Sequence, residues 1–144
     1  MLSDDVGGAW TRVARDVPYS NVTAVAVSSR RQSAHGAIYF GTQPSAVFRS
    51  ADDGASWHEC PGLGALPSAA TWSFPPGPET HHVRYIAIDP VDARRLFVCI
   101  EAGALVRSAD GGDTWQDRTA GGPFDTHVLA THHLAPGPVV LSRW

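Results

Sequence analysis

The chain has 144 residues, a net charge of −3, 43% hydrophobic and 17% charged residues, the make-up of one soluble domain. Its eleven arginines are scattered, with no lysine and no basic run longer than two, which argues against a nucleic-acid partner because a phosphate-binding face is denser. No stretch holds eighteen consecutive apolar residues, and the first residues carry neither a basic nor an apolar leader region, so no membrane span or export is expected and the expected compartment is the cytoplasm.

The chain opens on Ser3, Asp5, Gly7 and Trp10 in SDDVGGAW. The same pattern, Ser-x-Asp-x-Gly-x-x-Trp, returns as SADDGASW with Ser50, Asp52, Gly54 and Trp57. It returns again as SADGGDTW with Ser108, Asp110, Gly112 and Trp115. The starts are 47 and 58 residues apart, a period that signals a propeller, solenoid or array. After the first copy come strand candidates at 22–27, 37–41, 46–50 and 57–60. A second unit repeats the order at 83–88, 96–100, 104–107 and 115–118. A third begins at 127–129 and 139–141. Four short antiparallel strands per unit make a propeller blade.

The composition of the repeated pattern is that of a hairpin turn. Asp52 and Asp110 are short acceptors for nearby backbone N–H groups, and Ser50 and Ser108 do the same more weakly. Gly54 and Gly112 supply φ > 0 at little cost. Trp57 and Trp115 restart the strand and cover the turn. A calcium loop needs a distal Glu and a denser carboxylate set, so a self-satisfied turn is expected. No metal and no cofactor is expected anywhere in the chain. Cys60 and Cys99 are too few for a disulfide framework, and Cys99 in LFVCI reads as a small buried hydrophobe.

This pattern resembles the Asp-box, or bacterial neuraminidase repeat, and the chain resembles the Asp-box β-propellers over nearly its whole length. That group includes sialidases, xyloglucanase-like glycoside hydrolases, sortilin-type receptors and photosystem assembly factors. The stretch Tyr85-Ile86-Ala87-Ile88-Asp89-Pro90, then Arg95-Leu96-Phe97-Val98, then Val106-Arg107-Ser108 and its box, looks like a complete blade of the family. The resemblance implies an all-β propeller with its boxes on outer turns, away from a central pocket. It does not by itself imply an activity.

The division along the chain follows. Residues 1–20 read as the outer hairpin of a preceding blade, 21–60 as a blade, 61–81 as a long connection, 82–120 as a blade and 121–144 as the start of the next. That is about two and a half blades where a propeller usually has four to eight. A piece of a longer propeller is expected, with a truncated product or a protomer that closes by assembly as alternatives. Open blade edges would favour self-association.

Function, if this chain carries one, is expected on the rim where connections enter the innermost strands. Aligning the strand starts gives Asn21-Val22-Thr23, His82-Val83-Arg84 and His127-Val128-Leu129. Equivalent positions on one rim are therefore assigned to Asn21, His82 and His127. The long connection adds Trp72, Phe74 and His81, and Arg84 and Asp125 lie beside the two histidines. The aromatic rings would suit a glycan or another small-molecule ring, with the polar groups fixing its hydroxyls. Equally, a histidine entering a strand can bond a neighbouring carbonyl, and Trp72 can be a plug over the blade interface. Two function classes stay open: a binding or scaffold module, and part of an exo-acting glycoside hydrolase, sialidase-like or xyloglucanase-like. The second needs paired carboxylates or an arginine cluster with a Tyr–Glu pair, and no catalytic residue can be named for it. The only glutamates are Glu59, Glu79 and Glu101.

Overall fold

The structure is a computed structural model that describes residues 1, 3, 7–28, 36–75, 77 and 79–142, with the backbone alone for 135–142. The described residues form antiparallel sheets with almost no helix. The first sheet is β1 (Asn21–Val27), β2 (Ile38–Gln43), β3 (Val47–Ser50) and β4 (His58–Glu59), paired in that order. The second is β5 (Val83–Ile88), β6 (Leu96–Ile100) and β7 (Ala104–Ser108), and the third is the hairpin of β8 (Val128–His132) and β9 (Ala135–Ser142). The expected fourth strand at 115–118 is reduced to one bridge between Arg107 and Gln116. Just beyond that bridge the Asp117 carboxylate accepts the Ser68 N–H at 2.7 Å and the Ser68 hydroxyl at 2.5 Å.

The sheets lie face against face. Tyr39 and Val47 of the first sheet share a core with Val83, Ile86, Leu96, Val98, Ile100 and Val106 of the second. The opposite face of the second sheet, through Ala87, Phe97 and Cys99, packs on Leu129 of the third. All five residues of β6 are therefore buried, which explains why LFVCI shows no alternation. The first two sheets meet tightly at Gly41, where a Cβ would lie 2.3 Å from Cγ1 of Val83.

Residues 14–19 cover part of the first sheet's outer face, with Ala14, Val17 and Tyr19 against Phe40, Phe48 and Trp57. The long connection is ordered by two short 3-10 turns, Leu63–Ala65 and Pro67–Thr71. It packs Leu63 and Trp72 into the core between the first two sheets.

The boxes at 50–57 and 108–115 are self-satisfied turns with matching bonds. The Ser50 hydroxyl donates to Asp52 Oδ1 at 2.8 Å and accepts the Gly54 N–H at 2.8 Å. The Asp52 carboxylate accepts the N–H and the hydroxyl of Ser56. Ser108, Asp110, Gly112 and Thr114 repeat this set. Gly54 and Gly112 have φ of 91° and 97°, as a turn of this composition requires. In the first box the Gly7 N–H donates to the Ser3 hydroxyl at 2.8 Å, and Asp5 lies outside the described residues. The box at 108–115 also docks on the first sheet: the Tyr39 hydroxyl donates to the Gly111 carbonyl at 3.3 Å.

Hydrogen bonds from Ser56 and Thr114 hold Asp52 and Asp110 down to about 2. A carboxylate held below its unfolded value contributes stability that is complete above that value and lost as pH falls towards the folded one. Thermal unfolding followed between roughly pH 5 and 2 should therefore show a falling midpoint, with the slope reduced in Asp52→Asn and Asp110→Asn variants.

Candidate functional site at the rim

Antiparallel pairing brings the start of β5 and the end of β6 to one edge, because Val83 pairs with Ile100. The residue before Val83 is His82 and the residue after Ile100 is Glu101. Their side chains meet, with His82 Nε2 3.0 Å from Glu101 Oε2. The first sheet makes the same contact with neutral groups. Asn21 pairs with Gln43, and Asn21 Nδ2 donates to Gln43 Oε1 at 2.7 Å.

Glu101 is the hub of the cluster. Arg84 Nε stands 3.5 Å from the same Oε2, and His127 Nε2 stands 3.9 Å from Oε1. His127 Nε2 is also 3.0 Å from Asp125 Oδ1, which accepts the Ala102 N–H at 3.3 Å. Two successive strand starts thus converge on one carboxylate in the turn between β6 and β7. A thread of polar contacts continues to the first sheet: Gln43 donates to Thr80 Oγ1, and Ser45 N–H donates to His81 Nδ1.

The sequence-predicted residues separate into two groups. Phe74, His82, Arg84, Asp125 and His127 are brought together, with the Phe74 ring edge-on to His82 at 4.8 Å between centroids. His81 is turned aside against Trp72, at 5.6 Å between ring centroids. Trp72 is no ligand platform. It is 5% exposed, its Nε1 donates to Ser68 Oγ at 3.0 Å, and it serves as the plug between the sheets. Glu101 and Gln43 are the residues that motif reading passes over. The signal for both is register, since each follows the last residue of its strand's apolar run or closes that strand, opposite an inner-strand start.

Electrostatics give the members different states. Burial, ahead of the opposing pull of Glu101, holds the His82 imidazole below its ordinary value, and burial does the same to His81. Neutral His82 with Nε2–H turned to Glu101 leaves Nδ1 as an acceptor. That nitrogen is buried and has no hydrogen-bond partner among the described residues. Arg84 is half-exposed, while Glu101 and His127 are mostly covered. The cluster can therefore present a guanidinium and partly open carboxylate and imidazole edges beside an aromatic ring. It contains no thiol: Cys60 and Cys99 are buried elsewhere, and burial pushes them up to about 12 and about 11.

A stability cost accompanies the buried imidazoles. A histidine whose folded value lies below its unfolded one loses its contribution as pH falls from the unfolded towards the folded value. Acidification through the ordinary imidazole range should lower the unfolding midpoint, and His82→Gln should flatten that part of the profile.

Among the described residues no three His, Cys, Asp or Glu are grouped to hold a metal ion, and no helix is long and apolar enough to cross a membrane. A scan against known protein families finds no match to this chain, and a search of curated proteins finds none either.

Proposed function

We propose that the chain is part of a β-propeller of Asp-box repeats and that its rim cluster binds a polyhydroxylated ligand, a glycan being the favoured class. The blade reading draws support from three successive antiparallel sheets packed face to face, with β1 against β5 and β5 against β8. The observation that carries the binding reading is the convergence of His82, Arg84 and His127 on Glu101. Carboxylate, guanidinium and imidazole groups fix hydroxyls in direction, and the Phe74 ring beside them offers an apolar surface to a sugar face. The boxes at 50–57 and 108–115 are not assigned to the site, because their Ser and Asp side chains are bonded within the turn.

Calorimetric titration against a panel of neutral and acidic oligosaccharides tests this. Glu101→Gln and Arg84→Ala should each weaken binding about tenfold or more, the scale of a lost charge-assisted hydrogen bond. Asp110→Ala should lower stability first and leave affinity per folded molecule unchanged. Equal affinity in both rim variants, or no binding across the panel, would overturn the reading.

A second reading, part of an exo-acting glycoside hydrolase, is favoured by one feature. Glu101 and Asp125 both face His127 Nε2, and glycosidases work with paired carboxylates. Release of phenol from aryl glycosides, abolished in Glu101→Gln, would decide for it.

A further inference from the structure

A second polar cluster lies away from the rim, where the first sheet meets the box at 108–115. Cross-strand register sets Tyr39, Arg49 and His58 opposite one another on β2, β3 and β4, so their side chains share one face of the first sheet. That face is turned to the box, since the Tyr39 hydroxyl is bonded to the Gly111 carbonyl. Arg49 reaches the same glycine: a Cβ on Gly111 would lie 3.2 Å from Arg49 Nη1. A cavity of about 350 Å³ opens there, lined by Arg49, Ala51, His58, Glu59, Cys60 and Asp113, a size that suits a small molecule. Both of its walls come from successive sheets inside the chain, so the cavity is not an end of the stack.

Arg49 is the unsatisfied member. The second sheet holds an arginine in the same register, Arg107 opposite Phe97 as Arg49 is opposite Tyr39. Arg107 Nε donates to Oε1 of its cross-strand neighbour Gln116 at 2.7 Å. The neighbour of Arg49 is His58, and Arg49 Nε is buried without a hydrogen-bond partner among the described residues. A covered guanidinium N–H is costly to leave unpaired. Asp113 brings a carboxylate from the box to the other wall, and no ion pair joins it to Arg49 among the described residues. Glu59 pairs with Phe48, which puts its side chain on the opposite face of the sheet. The cavity therefore keeps a guanidinium and an imidazole on one wall and a carboxylate on the other. Cys60 adds no nucleophile, because burial pushes its thiol up to about 12.

We propose that this cavity binds a small zwitterion of the free α-amino acid type, its carboxylate on the Arg49 guanidinium and its ammonium group on Asp113. A guanidinium offers paired, coplanar donors that match a carboxylate, and His58, exposed at the same wall, adds a ring nitrogen to the carboxylate side. Asp113 sets the selectivity: it repels a ligand that carries only negative charge and attracts one that carries both signs. The site is separate from the rim, and the inference does not depend on what the rim binds.

Nitrogen-15 NMR of the arginine Nε–H groups tests it, with the Arg49 signal assigned by its loss in Arg49→Lys. The chain is titrated with glycine, L-serine and L-leucine, and with acetate and inorganic phosphate as anions that lack the ammonium group. At least one amino acid should shift the Arg49 signal saturably, at an affinity about tenfold or more above that of acetate or phosphate, the scale of a lost charge-assisted contact. Asp113→Asn, a change at an exposed side chain, should keep the β-type circular dichroism and bring the amino acid down to the level of acetate. Arg49→Lys, followed through backbone amide shifts of 58–60 and 111–113, should weaken the amino acid about tenfold. No saturable shift with any of the three amino acids, acetate or phosphate binding as tightly as they do, or an amino-acid affinity unchanged in Asp113→Asn would each overturn the inference.

Discussion

Trp72→Ala should lower the unfolding free energy by about 3–5 kcal/mol, the scale of deleting a fully packed large aromatic ring. The ring lies in the core with Leu63, Val83 and Ile100. It packs so tightly that a Cβ on Gly103 would sit 2.8 Å from Trp72 Cδ1. Its loss opens a cavity between two sheets and also removes the donor to Ser68, whose hydroxyl and N–H anchor Asp117. Denaturant unfolding at unchanged slope should report the loss as a shifted midpoint. Trp72→Phe should recover much of it by refilling the cavity. A Trp72→Ala midpoint within experimental error of the parent would mean that the connection does not plug the core.

Gly112→Ala should cost more than about 2 kcal/mol, from two separate sources. A φ of 97° penalises any Cβ, an effect of about 1–2 kcal/mol. The added Cβ would also lie 2.6 Å from Cys60 Sγ and 3.1 Å from Cys60 Cβ, and overpacking costs about 1–3 kcal/mol. Two controls separate these sources. Gly121 has φ of 72° with nothing near its Cβ position, so Gly121→Ala should show only the backbone part. Cys60→Ala combined with Gly112→Ala should relieve the clash and give a coupling energy of opposite sign to the single losses. Losses at 112 and 121 of the same size would remove the packing argument.

Much of the architecture is legible in the sequence because local chemistry repeats. Serine, aspartate and glycine at fixed offsets have one low-energy way to satisfy one another, and the apolar runs between the boxes set strand order and register. The placing of Asn21 and His82 at equivalent strand starts, each just before a valine that precedes a register shift, comes from the same regularity. Other features depended on contacts that no local pattern encodes. Trp72 stands in a loop of prolines and small residues, where an aromatic ring serves equally as an exposed platform or as a plug. Only the fit of the 3-10 turns between two sheets decides, and it decides for the plug. Glu101 carries no motif at all and becomes central because a hairpin returns it to the start of β5. The strand after Trp115 has the right composition, yet only Gln116 pairs with β7, and the neighbouring Asp117 is bonded to Ser68 of the long connection.

The central claim is that Glu101 gathers His82 and His127 into one polar cluster at the rim. Nitrogen-15 NMR of the imidazole rings across a pH titration tests it most directly, because it reads the tautomer and the titration of each histidine. His82 should titrate below the ordinary imidazole range with its proton on Nε2, and Glu101→Gln should move the ring resonances of both His82 and His127. A His82 ring that titrates at the ordinary value, or two rings indifferent to Glu101→Gln, would contradict the account.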